Sequence, residues 1–211
     1  MSKFKVAYVD EAPAEVRKFQ RYARNYFDVV PITPKSEPND TVDEILENHV
    51  DAVVSDFDLS DQDPTIHYNG AKLVSQILEQ RELFPVFILT SFEDDAVSKG
   101  DDVNIIYEKS EYNNGERFLE RVKNQIEKYQ HRIEENEKKL LDLIEEGKKR
   151  NLLAPEEDEL KRLDKFIERA LDKPSALPDV VREGQEGGHL IELLQQVDDL
   201  AKKLSNDNEQ I

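Results

Sequence analysis

Five side chains able to do chemistry stand at or near the ends of short apolar runs: Asp10 and Glu11 after VAYV, Asp56 after DAVVS, Thr90 after VFIL, and Lys109 after a further short run. Three carboxylates brought to one place repel one another unless a cation joins them, and hard oxygen ligands of this kind suit a magnesium ion that keeps some of its waters. In such a cluster Asp56 is positioned to act as a nucleophile toward a phosphoryl group. Magnesium and the Lys109 ammonium would neutralise the phosphoryl oxygens, and the Thr90 hydroxyl would donate a hydrogen bond to one of them.

The elements that must bring these residues together can be read from the alternation of apolar runs with amphipathic segments, the pattern of strands buried on both faces of a parallel sheet. Strands are expected over 5–9, 29–33, 52–55, 85–90 and 104–107, and helices over 14–26, 42–48, 71–82 and, short and poor, 94–99. Five strands joined by right-handed crossovers give an α/β, flavodoxin-like, doubly wound parallel sheet. In an open sheet of this kind the reactive crevice lies outside the carboxyl ends of the strands, where all five residues fall.

This arrangement resembles the receiver domain of two-component response regulators over about residues 3 to 125. Its carriers are Asp10 and Glu11, Asp56, the Asn69 and Gly70 that open the following helix, Thr90, and Lys109. Spacings of 46, 34 and 19 separate Asp10, Asp56, Thr90 and Lys109. The resemblance implies that Asp56 is the phospho-acceptor and that Asp10, Glu11, Asp56 and the backbone carbonyl of Asp58 hold magnesium. It also implies that Thr90 and Lys109 bind the phosphoryl group, and that the donor is a histidine kinase. Three departures stand out. Ser110 replaces the proline usual after the lysine and favours a trans bond. Ile106 occupies the place of the switch aromatic, while Tyr107 should face the other side of the strand, so Thr90, Ile106 and Tyr107 are the switch candidates. The fourth helix is squeezed between Phe92 and Val103 among Asp94, Asp95, Asp101 and Asp102.

Beyond this region the composition changes. Residues 1–113 hold 11 basic and 23 acidic side chains and 13 of the 16 aromatics; residues 114–211 hold 18 basic and 24 acidic and only Phe118, Tyr129 and Phe166. The first part suffices for one compact core and the second reads as helix. The expected division is a receiver core over 1–113, its fifth helix continuing to about 125, and a long helix and helical hairpin over 114–172. A linker over 173–188 and a C-terminal amphipathic helix over 189–211 carrying Leu190, Leu194, Val197, Ala201 and Leu204 complete it. Leu119, Val122, Ile126, Tyr129, Ile133, Asn136, Leu140 and Leu143 follow a heptad, the seam of an all-α coiled coil or of a hairpin covered by later helices. Gly147 is expected to interrupt the helix, and Pro155 with three following acids to start the next.

The net charge of −18 argues against nucleic acid, and no basic recognition helix follows residue 113. The absence of cysteine excludes disulfides and thiolate metal sites, and no segment approaches a membrane span or a signal peptide, so a cytoplasmic protein is expected. His131, outside the seam, is read as a surface histidine rather than a phosphotransfer acceptor, and His49, His67 and His189 form no ligand spacing. The expected function is a phospho-accepting receiver, not an enzyme, with output by homodimerisation or a protein effector docking on the helical tail. The alternatives are a phosphate sink or relay without output of its own, in a defence or other signalling operon, and a pseudo-receiver scaffold.

Overall fold

A computed structural model describes residues 3–60, 63–91, 106–110 and 116–171. The short helix expected over 94–99, the linker and the C-terminal amphipathic helix lie outside these residues. The described elements are β1 (Phe4–Val9), α1 (Pro13–Ala23), β2 (Phe27–Ile32), α2 (Pro38–Glu47), β3 (Ala52–Asp56), α3 (Gly70–Gln80), β4 (Val86–Thr90), β5 (Ile106–Glu108), α4 (Arg117–Lys149) and α5 (Ala154–Leu171). The five strands form one parallel sheet in the order β2-β1-β3-β4-β5. This is the flavodoxin-like doubly wound order expected from the alternating pattern.

Boundaries moved where local chemistry outweighed hydrophobic pattern. Helix α2 begins at Pro38, four residues before the expected start. A proline fits the first turn, where its missing N–H costs nothing, and Asp40 complements the helix dipole there. Helix α1 stops at Ala23 because a turn closed by Tyr26 N donating to the Ala23 carbonyl, at 2.8 Å, leads straight into β2. Strand β2 tolerates Pro31 because it is an edge strand, where a residue without an N–H leaves no ladder bond unmade.

Alternation along the strands divides the core between the two faces of the sheet. On one face Val6, Tyr8, Ala52, Val54, Phe87 and Leu89 pack with Phe19 and Ala23 of α1 and with Phe118, Leu119, Val122 and Ile126 of α4. Those four α4 residues are fully buried, each contributing roughly 2 kcal/mol of apolar burial. On the other face lie Val53, Val86 and Ile88, with Val42, Ile45, Leu73, Val74 and Ile77 of α2 and α3 also buried. The first three positions of the heptad are therefore core residues packed with the sheet. They are not the seam of a coiled coil between copies.

Two compact units result, residues 1–130 and 131–211. In the second, Leu140 of α4 packs with Leu152, Leu160 and Leu163, flanked by Leu143, Ile144 and Ile167. The tail is thus a helical hairpin as far as residue 171, with Ile133 buried and Asn136 half-buried. Gly147 does not interrupt the helix, which runs on to Lys149. A side chain there would lie 3.5 Å from Leu152, so the glycine forms part of the surface the connecting loop packs on. Arg150 pairs with Glu146 and Glu156, and the Glu156 carboxylate accepts from Leu153 N at 2.8 Å. Among the described residues no helix is long and apolar enough to cross a membrane.

Leu163 is fully buried in this small cluster. Leu163→Ala should cost about 3 kcal/mol locally. Hydrogen exchange should show protection lost over 154–171 while the strands keep theirs. Equal loss in the sheet would mean that the two units do not unfold separately.

Candidate functional site

Asp10 follows β1 directly, Asp56 is the last residue of β3, Thr90 the last of β4, and Lys109 follows β5 in a short turn. Sheet register aligns them, since Asp56 pairs with Leu89, one step short of Thr90, and Thr90 pairs with Glu108, one step short of Lys109. Asp10, Asp56 and Thr90 are all buried, at 1%, 6% and 2% exposure. Carboxylate oxygens of Asp10, Glu11 and Asp56 lie within 4.8 Å of one another. This is the one group of three or more potential ligands of this kind among the described residues.

Each carboxylate oxygen of Asp10 and Asp56 is held. Asp10 Oδ1 accepts from Ala12 N at 2.8 Å and Oδ2 from the Tyr8 hydroxyl at 2.8 Å. Asp56 Oδ1 accepts from Phe57 N at 2.8 Å and Oδ2 from Lys109 Nζ at 2.8 Å. The same ammonium stands 3.8 Å from Asp10 Oδ2. Burial pushes the Asp56 carboxyl up to about 7 despite the Lys109 hydrogen bond and charge, and the Asp10 and Glu11 charges push the same way. Burial acts to lower the Lys109 ammonium, but the hydrogen bond to Asp56 and the nearby carboxylates outweigh it, so the net shift is upward.

Three carboxylates against one ammonium leave an excess of negative charge in a buried crevice. Oxygens bound to one magnesium at 2.0–2.1 Å are at most about 4.2 Å apart. A spread of up to 4.8 Å therefore closes on such an ion with small side-chain shifts, and the all-oxygen donor set is the right kind.

The site lies where the chain leaves β3, and the described residues before α3, 57–60 and 63–69, are anchored by buried Phe57, Leu59 and Ile66. Tyr68 anchors them further by a 2.8 Å hydrogen bond with Thr41 Oγ1 and by donating to the Lys35 carbonyl at 2.8 Å. Asn69 caps α3, its Oδ1 accepting from Lys72 N at 2.9 Å. Gly70 N donates to the Phe57 carbonyl at 2.8 Å, and a Cβ on Gly70 would lie 2.1 Å from the Asp56 carbonyl oxygen. The helix that follows the site thus starts in direct backbone contact with the residue that carries it.

The remaining predicted positions are placed as follows. Asp58 sits two residues past Asp56 with an exposed side chain. Ile106 is buried, opposite Ile88 in the ladder. Tyr107 faces the α1 and α4 side, 6.0 Å from the Phe87 ring and 5.3 Å from Phe118, with the Arg121 guanidinium 5.3 Å over it. Its ring therefore lies on the opposite side of the sheet from Ile106 and Thr90. The described peptide bonds are all trans, Lys109–Ser110 among them. His131 is exposed beside Glu134 and Glu135. Sequence reading missed the Tyr8 hydroxyl, the two backbone N–H donors and the tight approach at Gly70. Only the last carried a signal, as a glycine at the first turn of a helix.

No family model and no curated protein matches the chain. Solved structures do. The BeF3-activated receiver domain of DrrB is 25% identical over 59% of this chain and 98% of its own, with a TM-score of 0.44. The apo receiver domain of nitrogen regulatory protein C is 22% identical over 62% of this chain and 99% of its own, TM-score 0.46. The two-component response regulator RcsB in complex with DNA is 14% identical over 86% and 96%, TM-score 0.44.

Proposed function

We propose that the chain is a cytoplasmic response-regulator receiver that accepts a phosphoryl group on Asp56 from a histidine kinase. The observation that carries this reading is the contact of Lys109 Nζ with Asp56 Oδ2 at 2.8 Å inside a ring of three carboxylates at the strand ends. Asp10, Glu11 and Asp56, with the Asp58 carbonyl, would hold magnesium, which when bound supplies positive charge to the phosphoryl oxygens. The chain's own residues do the rest. Phe57 N–H fixes the Asp56 carboxylate, an oxygen of which forms a bond to phosphorus as the phosphorus–nitrogen bond of a phosphohistidine breaks. The electron pair leaves with the imidazole nitrogen, which takes a proton from solvent. Lys109 turns from Asp56 to the phosphoryl oxygens and the Thr90 hydroxyl donates to one of them. The protein thereby assists its own modification without being an enzyme.

Incubation with acetyl phosphate and magnesium tests this on a phosphate-affinity gel. Wild type should shift and Asp56→Ala should not. An unshifted wild type, or a variant that shifts equally, sinks the reading.

For the output, the net charge of −18 supports a protein partner over nucleic acid. A second reading, a phosphate sink or relay, gains from the burial of the seam. Leu119, Val122 and Ile126 are spent on the sheet and Leu140 on the hairpin, so among the described residues no continuous apolar stripe is left for a second copy. Light scattering with and without phosphorylation separates a sink from output by dimerisation. An output by dimerisation requires the mass to double, and a sink requires it to stay constant.

A further inference from the structure

We propose that Tyr8 is a positioning residue for the cation site: its buried hydroxyl fixes the Asp10 carboxylate and thereby sets the affinity for a divalent cation. The inference rests on reading the carboxylate cluster as a magnesium site and goes beyond it to a residue that touches neither the cation nor the phosphoryl group.

Tyr8 and Asp10 are two residues apart at the end of β1, so the pleat sends both side chains to the same face. Tyr8 is fully buried in the core between the sheet and α1. Its ring stacks on Phe19 with centroids 4.2 Å apart and planes 7° from parallel. That stack leaves the ring one orientation, and the hydroxyl points to Asp10 Oδ2 at 2.8 Å. A buried phenol hydroxyl is costly without a partner, and here the partner is a carboxylate, the stronger kind of acceptor.

The consequence falls on the geometry of Asp10. With Ala12 N on Oδ1 and the Tyr8 hydroxyl on Oδ2, the carboxylate is held at both oxygens and cannot rotate about its bond to Cβ. Each oxygen keeps a further lone pair for a ligand. Without the hydroxyl, Oδ2 would be left with the Lys109 ammonium at 3.8 Å as its nearest fixed charge and would be drawn toward it. A ligand carboxylate turned toward an ammonium is a poorer ligand. Groups of this kind, one bond removed from the cation, typically change affinity ten- to a hundredfold when removed.

Isothermal titration of the full chain with magnesium chloride tests the assignment. Tyr8→Phe keeps the ring and its stack and removes one oxygen; its magnesium Kd should be weaker by about tenfold. Ile126→Val, in the same core cluster but away from the hydroxyl, should leave the Kd within about twofold. A Tyr8→Phe Kd equal to wild type overturns the proposal and leaves the magnesium site standing, as does an equal weakening in Ile126→Val. A wild type with no saturable binding that Asp10→Ala abolishes overturns the underlying reading as well. Should Tyr8→Phe fail to fold, the Tyr8 ring resonances of wild type carry the test. A shift that saturates with magnesium alongside the Asp56 amide supports it, and an unmoved ring overturns it.

Discussion

Asp56→Asn should leave the protein unable to accept phosphate and, with divalent cations removed by EDTA, more stable than wild type at pH 8. The first effect follows because an amide is no nucleophile toward phosphorus. The second follows from linkage. Burial, with the Asp10 and Glu11 charges adding to it, raises Asp56 to about 7, against about 3.9 in an unfolded chain. An acid whose folded pKa lies above its unfolded one binds its proton more tightly in the native state. Its contribution is therefore fully present below about pH 4 and is lost as the pH rises through about 7. Three units, with the opposing pull of Lys109 already included, correspond to something on the order of 4 kcal/mol.

Asparagine removes the titration while its side-chain carbonyl can still accept from Phe57 N–H. Urea unfolding in EDTA should show wild type losing stability between pH 5 and pH 8 while Asp56→Asn changes far less. Magnesium should then narrow the gap at pH 8, because it neutralises the charge that the substitution deletes. A wild type whose EDTA stability does not fall over that range, or a variant no more stable at pH 8, would contradict this account of the site.

Gly70→Ala is the second large effect, and it should damage fold and site together. The added methyl would lie 2.1 Å from the Asp56 carbonyl oxygen, 2.9 Å from Ser55 Oγ and 3.0 Å from the Asp56 carbonyl carbon. Two of the three obstacles are backbone, so no rotamer change relieves the overlap. Either α3 retreats, breaking the 2.8 Å bond from Gly70 N to the Phe57 carbonyl, or the end of β3 moves and carries Asp56 away from Lys109. A loss of about 3 kcal/mol or more is expected, a fall of about 10 °C in melting temperature. Any protein that still folds should take up phosphate from acetyl phosphate much more slowly. Alanine tolerated within a degree or two would contradict the close approach of α3 to the end of β3.

Asp10, Glu11, Asp56, Thr90 and Lys109 were legible because each interrupts or ends an apolar run, and polar groups at strand ends in an open sheet face one crevice. Tyr8 was illegible for the converse reason. Within VAYV it reads as one more core residue, and its hydroxyl matters only because Phe19 fixes the ring. The heptad marks an apolar stripe, but a 3–4 spacing is the same whether the stripe meets a sheet, a hairpin partner or a second chain. Leu119, Val122 and Ile126 met the sheet; Leu140 met Leu160 and Leu163. On propensity alone Gly147 is a break, but packing against Leu152 offsets a cost of about 1 kcal/mol.

Pro31 bears on how copies of this protein meet. An exposed sheet edge is a template on which another chain can add a strand, a route to aggregation. At the β2 edge a residue without an N–H and the exposed charge of Asp28 deny that template its regular row of donors. Main-chain addition at this margin is thus discouraged, and a crowded population of these molecules should not associate through β2.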